Sequence, residues 1–161
     1  MTVTGSSERM RGSAQQASSQ GDLIDALVQA SFMTMAVLNR VSAENDLSLT
    51  QLRVLAILRD RRLRISEVAD FLGLEKSTMS GLVERAEKRG LLERAPSEHD
   101  RRAVEVFLSA EGFDLAERIE ARVAKSLTGA TGRLSSSERI RLRTLLEQML
   151  GGAATALASG G

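Results

Sequence analysis

The sequence predicts a mainly α-helical fold that contains one small two-stranded β-hairpin. Apolar residues recur at helical spacing along most of the 161 residues, and the single proline, Pro96, marks the one sharply non-helical segment. On either side of that proline the apolar positions alternate with charged ones, as they do in strands. A chain of this length with 42% apolar residues is typical of a single domain, which can be divided into lobes.

The residue inventory excludes several classes of function. The chain carries 22 basic and 21 acidic residues, so a nucleic-acid partner can be indicated only by where the charges lie. It contains no cysteine and one histidine, which excludes disulfides, thiol chemistry and thiolate zinc sites. We therefore expect no metal and no cofactor. Because no segment resembles a secretory signal or a spanning helix, we expect a cytoplasmic protein without a membrane partner.

The first part of the chain predicts a tail and two helices. Residues 1–20, rich in Ser, Gln and Gly, predict a disordered N-terminal tail. Residues 21–47 contain a helix that is apolar on nearly all sides, which indicates dimerisation because so short a chain cannot bury both faces itself. Ser48 and Gln51 have the spacing of a capping box, so the next helix begins there and is expected to end within 59–64.

Two short helices and a hairpin are predicted next. The first helix spans 65–73, is capped at Ser66 and ends at Gly73, and the second runs from 76 to 89 and is stopped by Gly90. The hairpin follows, with a polar loop at 96–100 between its strands. Phe107 breaks the alternation, which predicts that the second face of its strand is partly covered.

The last part of the chain is predicted to be helical again. Ser109 begins a long helix, and Ser135 with Glu138 forms a second capping box before another helix. We expect these C-terminal helices, residues 110–158, to take part in dimerisation together with the helix of 21–47.

The order of the central elements is that of a winged helix-turn-helix, assigned to residues 48–109. Small polar and basic side chains follow the glycine turn, where a helix N-terminus can approach phosphates and reach base edges. Capping and solvation are the alternative role of the serines and threonine, and a solvated loop is that of the wing arginines. The candidate DNA-binding residues are Ser66, Lys76, Ser77, Thr78, Ser80, Gly81, Arg85, Arg94, His99, Asp100, Arg101 and Arg102.

The sequence resembles the MarR family of bacterial transcriptional regulators over residues 22–150. The motifs that carry the resemblance are Leu72-Gly73-Leu74, Ser77-Thr78-Met79-Ser80 and Asp100-Arg101-Arg102. The resemblance implies an obligate dimer with interlocked terminal helices, in which Arg102 reaches the minor groove and Asp100 braces the wing. It also implies a small-molecule or redox signal that loosens DNA binding. Gly81 departs from the pattern, because many relatives carry a basic residue there.

These observations predict a homodimeric, sequence-specific DNA-binding transcriptional regulator. The family resemblance implies a repressor, which is expected to bind a pseudo-palindromic double-stranded operator and to be relieved by a small apolar or aromatic effector. Phe32, Met33 and Met35 are candidates for the effector pocket, and core or dimer packing is their alternative role. The alternative function is a protein-interaction module that does not bind DNA. An enzyme is not expected, because His99 has no nucleophile beside it.

Overall fold

The computed structural model describes the backbone of residues 4–97 and 102–158, and the side chains of 19–97 and 102–151. Its elements are α1 (Thr4–Glu44), α2 (Leu49–Leu58), β1 (Leu63–Arg64), α3 (Ile65–Leu72), α4 (Lys76–Lys88), β2 (Leu92–Pro96), β3 (Val104–Leu108), α5 (Ala110–Thr131) and α6 (Ser136–Ala158). This order confirms the mainly helical winged helix-turn-helix. The chain divides into two compact units, residues 1–120 and 121–161, and the division along the sequence falls within α5.

Helix α1 is longer than the sequence predicted. It begins at Thr4, so residues 4–20 are helical where a disordered tail was expected. The physical reason is that extending a helix that already exists requires no new nucleation, so even a weakly helical segment can continue it.

One segment of α1 bears on the expected absence of a spanning helix. By length and composition alone, Ser19–Glu44 is long and apolar enough to cross a membrane, and an 18-residue stretch within it has a mean hydropathy of 1.3. No such segment was predicted from the sequence. A single helix of this kind is weak evidence for a membrane protein, because apolar helices of soluble proteins pass the same test.

The wing is part of a three-stranded antiparallel sheet in the order β1-β3-β2. The predicted hairpin is confirmed, with Pro96 opposite Val104 next to the wing tip and Leu92 opposite Leu108 at the far end. Strand β1, which places Leu63 opposite Val106, was not predicted. It has two residues, too few to show an alternating pattern.

The core of the first unit lies under the helix-turn-helix and the sheet. Val68 of α3, Met79 and Val83 of α4 and Val106 of β3 are fully buried. Gly73 closes α3 with a φ of 65°, as the turn requires. The apolar side of α4 packs against this core, and the polar side of the helix therefore faces solvent.

The helix starts follow the predicted capping chemistry at two of three places. Ser48 and Gln51 form the capping box of α2. Before α6, the Ser135 backbone N–H donates to the Glu138 carboxylate at 2.8 Å. The predicted cap at Ser66 is wrong: α3 begins after Arg64, whose backbone N–H donates to Glu67 Oε2 at 2.7 Å. The Glu67 carboxylate reaches back one turn to Arg64, so Arg64 and not Ser66 is the cap, while the helix begins at Ile65 as predicted.

A close junction joins the end of the helix-turn-helix to α5. The Ser109 backbone N–H donates to the Leu91 carbonyl at 3.1 Å, and the Ser109 hydroxyl donates to the Gly90 carbonyl at 2.5 Å. Gly112 is packed so closely that a Cβ built on it would overlap the Leu91 carbonyl oxygen and lie 2.9 Å from its carbon. Only glycine fits at this position.

Candidate nucleic-acid interface

The first turn of α4 presents polar side chains to solvent. Lys76, Ser77 and Thr78 are exposed, whereas Met79 turns into the core. The residue before the helix, Glu75, makes no side-chain hydrogen bond to the first-turn N–H groups. Helix N-terminal N–H groups that lack a cap are suited to bind anions such as phosphate.

The rest of the outward face of α4 is less exposed near its middle. Ser80 and Gly81 are half-buried, and Arg85 is exposed one turn further on. A Cβ on Gly81 would approach only the tip of the Arg85 side chain, at 3.4 Å. No fixed neighbour within the described part of the chain therefore demands glycine at 81.

A depression of about 250 Å³ separates α4 from the base of the wing. It brings together three predicted residues that are distant in sequence, Ser66, Lys76 and Arg102, and adds Arg64. Arg64 was not predicted, although its position directly before α3 was the available signal. Basic groups from three elements thus border one groove.

The wing residues differ in what the structure shows of them. Arg94 on β2 forms an ion pair with Glu87 of α4 at 2.9 Å, so its guanidinium links the wing to the helix. Arg102 is exposed beside the first residues of β3. His99, Asp100 and Arg101 lie outside the described residues, and so does the predicted bracing by Asp100.

The C-terminal end of α4 is fixed to the turn between α1 and α2. The Arg89 guanidinium donates to the carbonyl of Asp46 at 2.6 Å and to that of Asn45 at 3.3 Å. Nζ of Lys88, the residue before Arg89, lies 2.8 Å from Oε1 of Glu84 one turn earlier in the helix. The hydrogen bond from Lys88 holds the pKa of the Glu84 carboxyl below its ordinary value. The two hydrogen bonds of Arg89 join the end of α4 to the turn before α2, whereas the Lys88–Glu84 pair lies within α4.

The candidate effector residues lie on α1. Phe32, Met33 and Met35 are all exposed, Phe32 to 71%. They belong to an apolar face that no other described part of the chain covers. A second apolar face, in the other unit, lies on α6. The exposed members are Leu23, Ile24, Leu27 and Val28 with the three candidates on α1, and Ile140, Leu142, Leu145, Leu146, Met149 and Leu150 on α6.

Comparisons with known proteins agree on one family. A family model described as MarR family matches residues 45–103, which contain the helix-turn-helix and the wing. The HTH-type transcriptional regulator PecS of Dickeya dadantii (strain 3937) is 30% identical over 128 residues, 77% of each chain.

Two solved structures extend the similarity to the fold. NadR, crystallised in complex with 4-hydroxyphenylacetate, is 25% identical with a TM-score of 0.65 and covers 77% of this chain and 89% of its own. BpsR of Bordetella bronchiseptica, whose DNA binding is regulated by 6-hydroxynicotinic acid, is 27% identical with a TM-score of 0.60, over 78% and 90% of the two chains.

Proposed function

Since the chain belongs to the MarR family of transcriptional regulators, we propose that it is a homodimeric, sequence-specific DNA-binding repressor that a small molecule releases from its operator. The family is one of regulators and not of enzymes. Bacterial transcriptional regulators act on DNA in the cytoplasm, and we therefore assign the chain to the cytoplasm.

The observation that carries the proposal is the exposed, uncapped first turn of α4 beside a basic groove. We propose that Ser77, Thr78 and Ser80 face base edges and phosphates in the major groove, with Lys76 and Arg85 on the phosphate backbone. Gly81 lets the DNA approach the helix backbone closely, because its missing side chain leaves space that no fixed neighbour fills.

The wing forms the second half of the proposed DNA contact. Arg102 borders the same groove as Lys76 and Ser66, so it can track the backbone into the adjacent minor groove, whose negative potential attracts arginine. We propose the same contact for His99 and Arg101, with Asp100 holding an arginine. Arg94 contributes to DNA binding through its ion pair with Glu87, which holds the wing at a fixed angle to α4.

We propose that dimerisation covers the apolar faces of α1 and α6. Large exposed apolar patches on soluble proteins mark interaction sites, and the domain segments 21–47 and 110–158 carry both. In a two-fold symmetric dimer the recognition helices enter major grooves about 34–36 Å apart, so the operator is a pseudo-palindrome.

A small aromatic molecule is the proposed effector. NadR and BpsR are described with 4-hydroxyphenylacetate and 6-hydroxynicotinic acid, and both compounds are single-ring aromatic acids. Phe32, Met33 and Met35 would line a pocket only where a partner subunit covers α1, since these side chains are exposed in the single chain. The redox alternative has no thiol to act through.

Gel retardation with duplex DNA from upstream of the gene tests the function. We expect retention at sub-micromolar protein that weakens steeply as salt rises. An Arg53→Ala variant, at an exposed position of α2 outside the proposed DNA contact and outside both apolar faces, is expected to bind like the wild type. Absence of salt-sensitive retention would favour the alternative, a winged-helix module that binds a protein partner.

A further inference from the structure

The base of the wing tip is held by two hydrogen bonds from one serine. Ser97 follows β2, and its backbone N–H donates to the Ala103 carbonyl at 2.8 Å, so the strands stay paired one step beyond Pro96 and Val104. The Ser97 hydroxyl donates to Glu105 Oε1 of β3 at 2.5 Å. Ser97 is only 6% exposed. A buried hydroxyl that is satisfied in this way rigidifies the structure around it.

Glu105 lies on the central strand of the sheet, diagonally across from Ser97. The register places Glu105 opposite Ala95 of β2, and Ser97 is two residues after Ala95. Diagonal neighbours of this kind lie on the same face of an antiparallel sheet, within reach of a long side chain. Two residues further along that face, the Arg62 guanidinium carbon lies 4.0 Å from the centroid of the Phe107 ring. The face is therefore packed on the side away from the tip, and the bond to Ser97 extends this order to the tip.

The serine lies beside the arginine that is proposed for the minor groove. Arg102 directly precedes Ala103, whose carbonyl accepts the Ser97 backbone N–H. Arg102 and Val104 border the groove beside α4, whereas Glu105 does not. Because successive residues of a strand point to opposite faces, Glu105 holds β3 from the face opposite to Val104. The carboxylate thus restrains the wing without bordering the proposed DNA contact.

A carboxylate on a DNA-binding wing calls for a role other than DNA contact. Its negative charge repels phosphates, so it lowers DNA affinity unless it contributes in another way. A charged acceptor forms short, strong hydrogen bonds, and the bond from the Ser97 hydroxyl is of this kind. By restraining one end of the tip, Glu105 reduces the conformational freedom that the wing loses when DNA binds. Such preorganisation raises affinity without a direct contact.

We propose that Glu105 is a positioning residue for the wing: through the Ser97 hydroxyl it holds the base of the tip so that Arg102 enters the minor groove at a fixed angle. Its role differs from that of Arg94, whose ion pair with Glu87 ties the wing to α4, because Glu105 acts within the wing. The proposal deepens the DNA-binding part of the proposed function and rests on it.

Three variants separate the hydrogen bond from the charge in gel retardation of the full-length protein with the upstream duplex. Ser97→Ala removes the hydroxyl without a change of charge and is expected to weaken DNA binding roughly three- to tenfold, as expected for the loss of one hydrogen bond. Glu105→Gln and Glu105→Leu lose the same negative charge, but only glutamine keeps an oxygen that accepts from Ser97. Glu105→Gln is therefore expected to bind several-fold more tightly than Glu105→Leu.

Double variants show whether the effect passes through Arg102. If Ser97 acts by positioning that arginine, Ser97→Ala will have little further effect in an Arg102→Ala protein and its full effect in a Lys76→Ala protein. Ser48→Ala, which removes the capping box of α2, is the control for stability: it is expected to destabilise the fold and leave DNA affinity unchanged. Wild-type affinity in Ser97→Ala, equal affinities in the two Glu105 variants, or additive losses with Arg102→Ala contradict the assignment.

The same titrations distinguish failure of this proposal from failure of the proposed function. Salt-sensitive retention that Arg102→Ala weakens and Ser97→Ala does not would refute the positioning role alone. Absence of salt-sensitive retention in the wild type would refute the DNA-binding function and the positioning role with it.

Discussion

Replacing Gly112 by alanine tests how α5 is joined to the helix-turn-helix. The new methyl group would overlap the Leu91 carbonyl, and a backbone group cannot swing aside as a flexible side chain can. Separating the two segments breaks the hydrogen bonds from Ser109 to the Leu91 and Gly90 carbonyls. With about 1 kcal/mol for each bond and about 1–3 kcal/mol for overpacking, less about 1 kcal/mol because alanine favours the helix, we expect Gly112→Ala to lower the free energy of unfolding by about 2–4 kcal/mol.

The same substitution elsewhere in α5 provides the control. A Cβ on Gly129 would meet nothing within 4 Å. Gly129→Ala is therefore expected to raise the free energy of unfolding by about 0.5–1 kcal/mol, because alanine favours the helix. Urea unfolding followed by circular dichroism at one fixed protein concentration measures both, since the stability of a dimer depends on concentration. An ordinary surface substitution changes the free energy of unfolding by about 0.5 kcal/mol or less. If the free energy of unfolding of Gly112→Ala lies within about 0.5 kcal/mol of the wild-type value, the reasoning is refuted.

Four further substitutions test the interface. Arg102→Ala is expected to weaken operator binding by about 1–3 kcal/mol, and unchanged affinity in gel retardation would contradict the wing contact. Lys76→Ala is expected to reduce the slope of log affinity against log salt by about one unit, and an unchanged slope would remove Lys76 from the phosphate contacts. Gly81→Ala is expected to stabilise the free protein by up to about 1 kcal/mol and yet weaken DNA binding; equal DNA affinity would show that the backbone does not lie close to the DNA. Lys88→Ala is expected to raise the pKa of Glu84, because the hydrogen bond that lowers it is lost.

The pKa of Glu84 also fixes the sign of a pH effect. Because the carboxyl has a lowered pKa in the folded protein, its contribution to stability is present above the ordinary glutamate range and is lost as the pH falls through the folded value. The pair is solvent-exposed, so the effect on stability is small. An NMR titration of the Glu84 side chain in both proteins measures the pKa directly, and identical values would show that Lys88 has no influence on it.

Local signals in the sequence predicted those parts of the fold that depend on neighbouring residues. The box of Ser48 and Gln51 and the left-handed Gly73 are local, and both were predicted correctly. The cap of α3 was assigned to the wrong residue because Arg64 and Glu67 compete with Ser66 for the helix end, and spacing alone does not rank them. Strand β1 exists only because β3 pairs with it, a long-range contact that a two-residue segment cannot reveal.

In the candidate site, too, the sequence predicted what depends on local pattern and not what depends on long-range packing. The polar first turn of α4 could be predicted, since the side opposite a buried stripe must face outward. The groove of Arg64, Ser66, Lys76 and Arg102 could not, because it depends on how the sheet packs beside the helices. The stacking of Arg62 on Phe107 was visible only in part: the broken alternation at Phe107 predicted a covered face but not the residue that covers it.

Selection of bound sequences from a pool of random duplexes tests the central claim most directly, because it assumes no target gene. If two copies of the chain each place α4 in a major groove, the enriched sequences will be inverted repeats with half-site centres about 34–36 Å apart, or 10–10.5 base pairs. A pool that shows no enrichment after repeated rounds, or one that converges on a single unrepeated half-site, would contradict the account.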